Sequence, residues 1–440
     1  MGRTGLNIWV ALVAALICAQ PVSAAPEAVD RPDELRSMLT ELRAEQANLA
    51  EKIDRLEALL NSNSIKSPAG SVVRLQPDEP AITVSDQSER GRPKADATPR
   101  NKLDFSGDLQ LRYEGNFSDD DLPDRNRGVT RARLRANYKV NSLFSVGTEI
   151  STGDSDDPNS VHVTLSDFAD DFEISLSRLF ARIDLENGVT LLGGKFANPF
   201  LRTDLVWDGD VNPQGAAAIF DLALTESIRV TTTGIYSILD EVTLGPDSDM
   251  IGGQINVGLR PNRNWQFSGA VSYYDYNLKA LAGADAGDYR SNLRDNWGGY
   301  LSEYELLDLL GSASYFGLGE RWPITISGDY VKNYGSAAGN DHGYSTMLTI
   351  GRTTSVHDWR LAYGYSQVGI DAVLGAFSND NLAIATNYQS HLLGVDFTPF
   401  DHVVLNATLY HYKPLEAVYA GNHDPDDWLD RLRLNMTVSF

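Results

Sequence analysis

Arg131, Arg133 and Arg135 stand at alternate positions, so an extended backbone places all three guanidinium groups on one face. Arg178 and Arg182 share a face in the same way further on, and Arg112 sits in an earlier stretch of the same kind. A second set of charges lies in the segment 196–213. There Asp204, Asp208 and Asp210 are mixed with Phe200, Leu201, Leu205, Val206 and Trp207. A solvent-facing loop has no reason to expose so many apolar groups. Folded against an inner wall, they would carry their acids toward the arginines. Acids on one side of a gap and arginines on the other set up a transverse field, which orders water and sorts solutes by charge and dipole. The plainer reading makes the arginines the wet face of a strand. Asp208-x-Asp210-x-Asn212 also opens like a calcium-binding loop, but Pro213 replaces its glycine and Ile219 its closing glutamate.

Catalytic chemistry finds little support. His162, His342, His357, His391, His402, His411 and His423 form no HExxH or other metal spacing, and there is no GxSxG elbow. His391 and His411 on neighbouring strands would suit a lipase on an outer wall only beside a serine, and no serine is specified. We expect no enzyme, no metal and no cofactor. Cys18 is the only cysteine, which removes any disulfide framework or thiolate site. A net charge of −23 over 440 residues argues against nucleic acid as a partner. Hydrophobic content of 42% and a mean hydropathy of −0.27 exclude a polytopic helical membrane protein.

The elements that must carry these residues are strands. From residue 103 the apolar period is two. Leu103, Phe105, Leu109, Leu111 and Tyr113 alternate with Asp104, Ser106, Asp108, Gln110, Arg112 and Glu114. Ala132, Leu134, Ala136, Tyr138 and Val140 alternate with the arginine row and its neighbours. The last segment, Trp428 to Phe440, repeats the pattern, with Asp430 at its loop end. Apolar-out, polar-in alternation carried to the end of a chain predicts an all-β transmembrane antiparallel barrel. Seven short turns fall near 141, 187, 223, 262, 319, 353 and 400. Eight longer polar segments fall at 116–128, 153–171, 197–215, 239–249, 277–303, 335–343, 370–387 and 414–427. Interleaved, they require about sixteen strands, a count left open by two, with both termini on the short-turn side. Sixteen strands enclose an aqueous lumen.

The chain before the barrel has three parts. Arg3, the apolar run Ile8 to Ala19 and Val22-Ser23-Ala24 predict a signal peptide over 1–24, an uncleaved anchor being the alternative. Leu35, Leu39, Leu42, Gln46, Leu49, Ile53, Leu56 and Leu60 alternate in steps of four and three, the seam of a coiled coil over 33–61. At 1.5 Å per residue it makes a rod of about 43 Å. A lone amphipathic helix folded back on the barrel is the competing reading. Residues 62–102 have the composition of a flexible linker, and 103–440 form the barrel.

The stretch Gly194-Lys195-Phe196, Asn198-Pro199-Phe200, Asp204-Leu205-Val206-Trp207-Asp208, Asp210, Asn212-Pro213 and Gly215 resembles the "Putative porin" family of Gram-negative outer membranes, and more distantly the phosphate-selective porins. The resemblance implies a signal peptide, a periplasmic coiled coil and a trimeric, water-filled diffusion channel without an assigned solute. The terminal Phe440, with apolar residues at every second position before it, is similar to the signal read by the barrel-assembly machinery.

Two functional readings follow. In the first, the barrel is a passive channel in the bacterial outer membrane, with Arg131, Arg133, Arg135, Arg178, Arg182, Asp204, Asp208 and Asp210 at its constriction. Its partners would be outer-membrane lipid, lipopolysaccharide and two further copies. In the second, the barrel anchors a tether whose coiled coil contacts peptidoglycan. Acidic loops such as Asp119-Asp120-Asp121 favour cations at the mouth, while the arginine row favours anions at the waist.

Overall fold

The computed structural model describes residues 102–118, 124–166, 171–279, 291–337, 339–417 and 426–440. The signal segment, the coiled-coil seam from Leu35 to Leu60 and most of the linker lie outside the described residues. The strands are β1 (Leu103–Ser118), β2 (Arg125–Lys139), β3 (Phe144–Thr152), β4 (Val163–Thr164), β5 (Ile174–Asp184) and β6 (Val189–Lys195). They continue with β7 (Gln214–Ala223), β8 (Ile228–Asp240), β9 (Ser248–Asn262), β10 (Trp265–Asn277), β11 (Tyr304–Tyr315) and β12 (Ile324–Asn333). The last five are β13 (His342–Gly351), β14 (Trp359–Val368), β15 (Tyr388–Phe400), β16 (Val403–Pro414) and β17 (Leu429–Ser439).

The two-residue β4 is a short pairing of the second long loop with β2. The other sixteen strands each pair antiparallel with both chain neighbours, and the last pairs with the first. The ring therefore closes in the register Leu109↔Val438 and Leu111↔Met436. Closure satisfies every strand edge, a necessity where the surrounding medium offers no hydrogen bonds. The seven short turns and the described parts of the eight long connections fall near where the sequence pattern places them, although β1 reaches Ser118 and β2 starts at Arg125, inside the segment 116–128 expected to be loop. Among the described residues no helix is long and apolar enough to cross a membrane.

The two faces invert the arrangement of a water-soluble protein. Leu109, Leu111, Leu134, Ile251, Ile255, Val271 and Leu361 are exposed on the outside. Gln110, Glu114, Arg131, Gln254, Asn256, Ser272 and Asp308 are buried on the inside. Aromatic rings gather near the strand ends. Trp265 stacks on Phe267 with centroids 5.6 Å apart, and Trp359 on Phe397 at 4.4 Å. Both pairs lie at the short-turn rim, where an aromatic girdle marks one interface of a bilayer.

The inner wall is not uniform. Along β9, β10, β11, β15 and β16 it carries Met250, Tyr274, Tyr276, Tyr304, Leu306, Leu392 and Tyr410, which form one apolar cluster with two long loops. Along β1, β2, β3, β5 and β17 it carries arginines and carboxylates.

Candidate functional site

The third long loop, residues 196–213, is held at its base by a glycine pair. Gly194 on β6 faces Gly215 on β7, both at positive φ (113° and 151°). A Cβ at Gly194 would lie 2.4 Å from the Leu179 carbonyl oxygen, and one at Gly215 would lie 2.2 Å from that of Tyr236. No other residue fits either place, so the family-like spacing of these glycines has a steric cause.

From that base the loop runs onto the aromatic half of the wall. The Trp207 ring stacks on Phe377 at 5.7 Å and meets Tyr274 edge-on at 5.6 Å. Phe200 meets the same tyrosine at 5.2 Å. Gln254 on β9 clamps the backbone of Leu201 from both sides: its Oε1 accepts from the Leu201 amide at 2.8 Å and its Nε2 donates to the Leu201 carbonyl at 2.7 Å. The Thr203 hydroxyl donates to Asp329 on β12.

The acids of the loop have separate partners. Asp210 accepts from Arg133 Nη1 at 3.0 Å. Asp208 accepts the Asp210 amide at 2.8 Å, and Asp204 accepts from Asn381 Nδ2 at 3.2 Å. Burial pushes the Asp204 carboxyl up to about 7, with Asp380 and Asp210 adding to the rise and Arg202 opposing it. Burial, followed by Asp380 and Asp204, holds the Asp208 carboxyl well above the usual range. Asn212 accepts from Arg178 Nε at 2.5 Å. Of the residues that resemble the start of a calcium loop, Asp210 and Asn212 are thus turned on guanidinium groups and Asp208 on a backbone amide.

On the charged half, Asp108 collects three arginines: Arg131 at 2.8 Å, Arg133 at 3.0 Å and Arg135 at 3.1 Å. Glu149 takes Arg135, and Arg178 at 3.3 Å. Glu114 takes Arg127 at 2.6 Å and Arg433 at 2.8 Å. Arg182 stands apart from this group; it pairs with Asp184 on its own strand at 2.6 Å, beside the short turn. In the second long loop, His162 Nε2 lies 2.7 Å from Gln110 Oε1. Burial, and then the nearby Arg112 and Arg131, keep its imidazole neutral well below the ordinary histidine range. Phe440 closes the ring through two backbone hydrogen bonds with Gly107, at 2.9 and 3.0 Å. Its ring lies over that glycine, where a Cβ would come within 2.4 Å of it.

Sequence reasoning missed a second packed loop. Residues 369–387, between β14 and β15, bury Ile370 and pack Val373, Leu374 and Leu382 against the third loop and the aromatic wall. Asn292 holds this loop by donating to the Ile370 and Val373 carbonyls, both at 2.9 Å. Asp208 donates its amide to the Phe377 carbonyl at 2.8 Å, which ties the two loops together. Asn381 then reaches the charged wall, accepting from Arg433 Nη1 at 2.5 Å and from Arg431 Nη1 at 2.9 Å. The signal was present: Ile370, Ala372, Val373, Leu374 and Phe377 are as apolar for a loop as the third one is. Asp108, Glu114, Glu149, Arg431 and Arg433 were also passed over, although all fall on the inward parity of their strands.

A cavity of about 610 Å³ opens between the second, third and seventh long loops, lined by Lys195, Trp207, Asp210, Asp240 and Tyr300 among others. A smaller one of about 90 Å³ lies where Asp204, Asn381 and Leu382 meet Ser327, Tyr388 and Tyr410. Among the described residues, no three histidine, cysteine, aspartate or glutamate side chains gather as a metal site.

A closed barrel with a lipid-compatible exterior and a charged interior belongs to the class of outer-membrane channels. Residues 119–286 match the family described as "Putative porin", which bears out the resemblance over that part of the chain. No curated protein matches. Among solved structures, the chain is similar to OprB of Pseudomonas putida, at 12% identity and a TM-score of 0.53, over 77% of this chain and 94% of that one. It is also similar to an anion-selective porin from Comamonas acidovorans, at 12% identity and a TM-score of 0.47, over 77% and 99%. The first likeness establishes a porin-like fold, and with the family match it supports an outer-membrane channel.

Proposed function

We propose that this chain is a porin, a water-filled and non-enzymatic path by which small hydrophilic solutes or ions diffuse across the bacterial outer membrane. The third loop crosses the lumen and narrows it against the arginine wall, and the seventh long loop braces it from behind. The observation that carries this reading is the division of the inner wall. The aromatic half is covered by the two loops, while the charged half meets them mainly through polar atoms: Arg133 with Asp210, and Arg431 and Arg433 with Asn381. A plug serving only stability would bury apolar surface on all sides. Polar contacts of this kind between loop and wall suit a path for a hydrated solute.

Phe440 serves as the assembly signal, the N-terminal segment faces the periplasm, and the barrel forms a homotrimer of closed symmetry in contact with lipid and lipopolysaccharide. The coiled coil over 33–61 supports that trimer and offers a contact to peptidoglycan.

The test is conductance of the purified, folded protein in a planar bilayer, with the reversal potential read under a salt gradient. We expect discrete steps grouped in threes. The sign of the potential reports whether arginines or acids govern the waist. Folded protein that inserts and yet passes no current would overturn the reading.

A further inference from the structure

One constellation on the outer wall plays no part in a lumen. His391 on β15 and His411 on β16 are direct cross-strand partners, each three residues from the long-loop end of its strand. Their rings lie 6.4 Å apart, centroid to centroid. Each imidazole is anchored through the same atom. His411 Nδ1 lies 2.8 Å from Asp430 Oδ1 on β17, and His391 Nδ1 lies 3.0 Å from the Tyr363 hydroxyl on β14. Trp428 stacks on His411 at 4.1 Å with the planes 6° apart, fixing the ring further. Among the described residues neither Nε2 makes a hydrogen bond.

We propose that His391 and His411 are the protein half of a divalent transition-metal site at the long-loop rim of the outer wall. Imidazole suits zinc, copper and nickel ions. Metal-bound histidines as a rule give their second ring nitrogen to a carboxylate or another polar group, which fixes the tautomer and leaves the first nitrogen for the ion. Here both histidines have that partner in place, supplied by two different strands. A histidine serving only as an amphipathic ring at a membrane interface needs no Nδ1 anchor, and two such anchors side by side are harder still to assign to packing. Such an ion requires both Nε2 atoms at roughly 2.0–2.1 Å, so binding calls for the two rings, now 6.4 Å apart, to turn toward each other about their anchored Nδ1 atoms. Two ligands leave open positions, which water or a phosphate oxygen of the surrounding headgroups fills. That no partner serine is specified, which weighed against hydrolysis, is immaterial to metal binding.

Copper(II) bound to the full chain refolded in detergent tests this directly, by electron paramagnetic resonance. His423→Ala is used as the background, since His423 falls between His411 and Asp430 in the sequence. The expected spectrum shows hyperfine splitting from two imidazole nitrogens. His391→Ala and His411→Ala should each reduce it to one nitrogen or none, and Asp430→Asn should weaken affinity about 10- to 100-fold while keeping two. Because all three side chains are on the outer face, heat-modifiable migration should remain unchanged in each variant. Copper signals that survive either histidine substitution intact, or no binding by a folded barrel, would overturn the proposal.

Discussion

Asp204 is the residue at which pH should act on the channel. Its pKa of about 7 in the folded loop stands above the ordinary 3.8, so the docked loop holds a proton that the freed loop releases. Docking therefore gains stability below pH 4 and loses it as pH rises through about 7. We expect conductance at pH 8.5 to be larger and noisier than at pH 5.5, and Asp204→Asn to reduce the difference, with Asp208 supplying the remainder. Arg133 is the other decisive side chain, because it joins the Asp108 cluster to Asp210 of the loop. Arg133→Gln should shift the reversal potential toward cations without loss of the folded barrel. The residues differ in how far the sequence announced them. Arg131, Arg133 and Arg135 were legible because strand parity alone turns them inward. That Asp108 would gather all three was not, because it depends on the cross-strand register of β1 and β2. Nor could spacing tell that Arg182 would spend its charge on Asp184.

The third and seventh long loops share one apolar interface, and Trp207 is its centre, touching Phe377, Tyr274 and Tyr276. Trp207→Ala removes a buried aromatic worth about 3–5 kcal/mol of packing. The expected outcome is a folded barrel with a loosened constriction, seen as larger and flickering single-channel currents. Gly215→Val belongs to the same element, but its side chain would strike the Tyr236 carbonyl oxygen. We expect it to lower the refolding yield, measured by heat-modifiable migration, more than Trp207→Ala does. The strands themselves were readable from alternation, since a one-residue error would turn a whole face inside out. The seventh loop was not read as packed, although its apolar run is plain. What was missing was the wall it packs on, which is built from tyrosines of β10, β11, β15 and β16 and exists only after closure.

The sixteen-stranded ring is complete within residues 103–440, with each strand hydrogen-bonded to two neighbours. A chain lacking residues 33–61 should therefore fold and conduct with unchanged unit current, and lose only the stability of its oligomer in detergent. Cross-linking and bilayer recording on the same preparation check both halves of that expectation. The seam that closes the ring, between β1 and β17, has its own consequence. Glu114 with Arg433, Arg112 with Asn435 and Gln110 with Thr437 all join across it, and they are the same side chains that build the charged wall. If the proposed constriction is the filter, sealing the barrel and completing that filter are one event: a chain caught before the last pairing would lack both a closed wall and the charges that sort solutes.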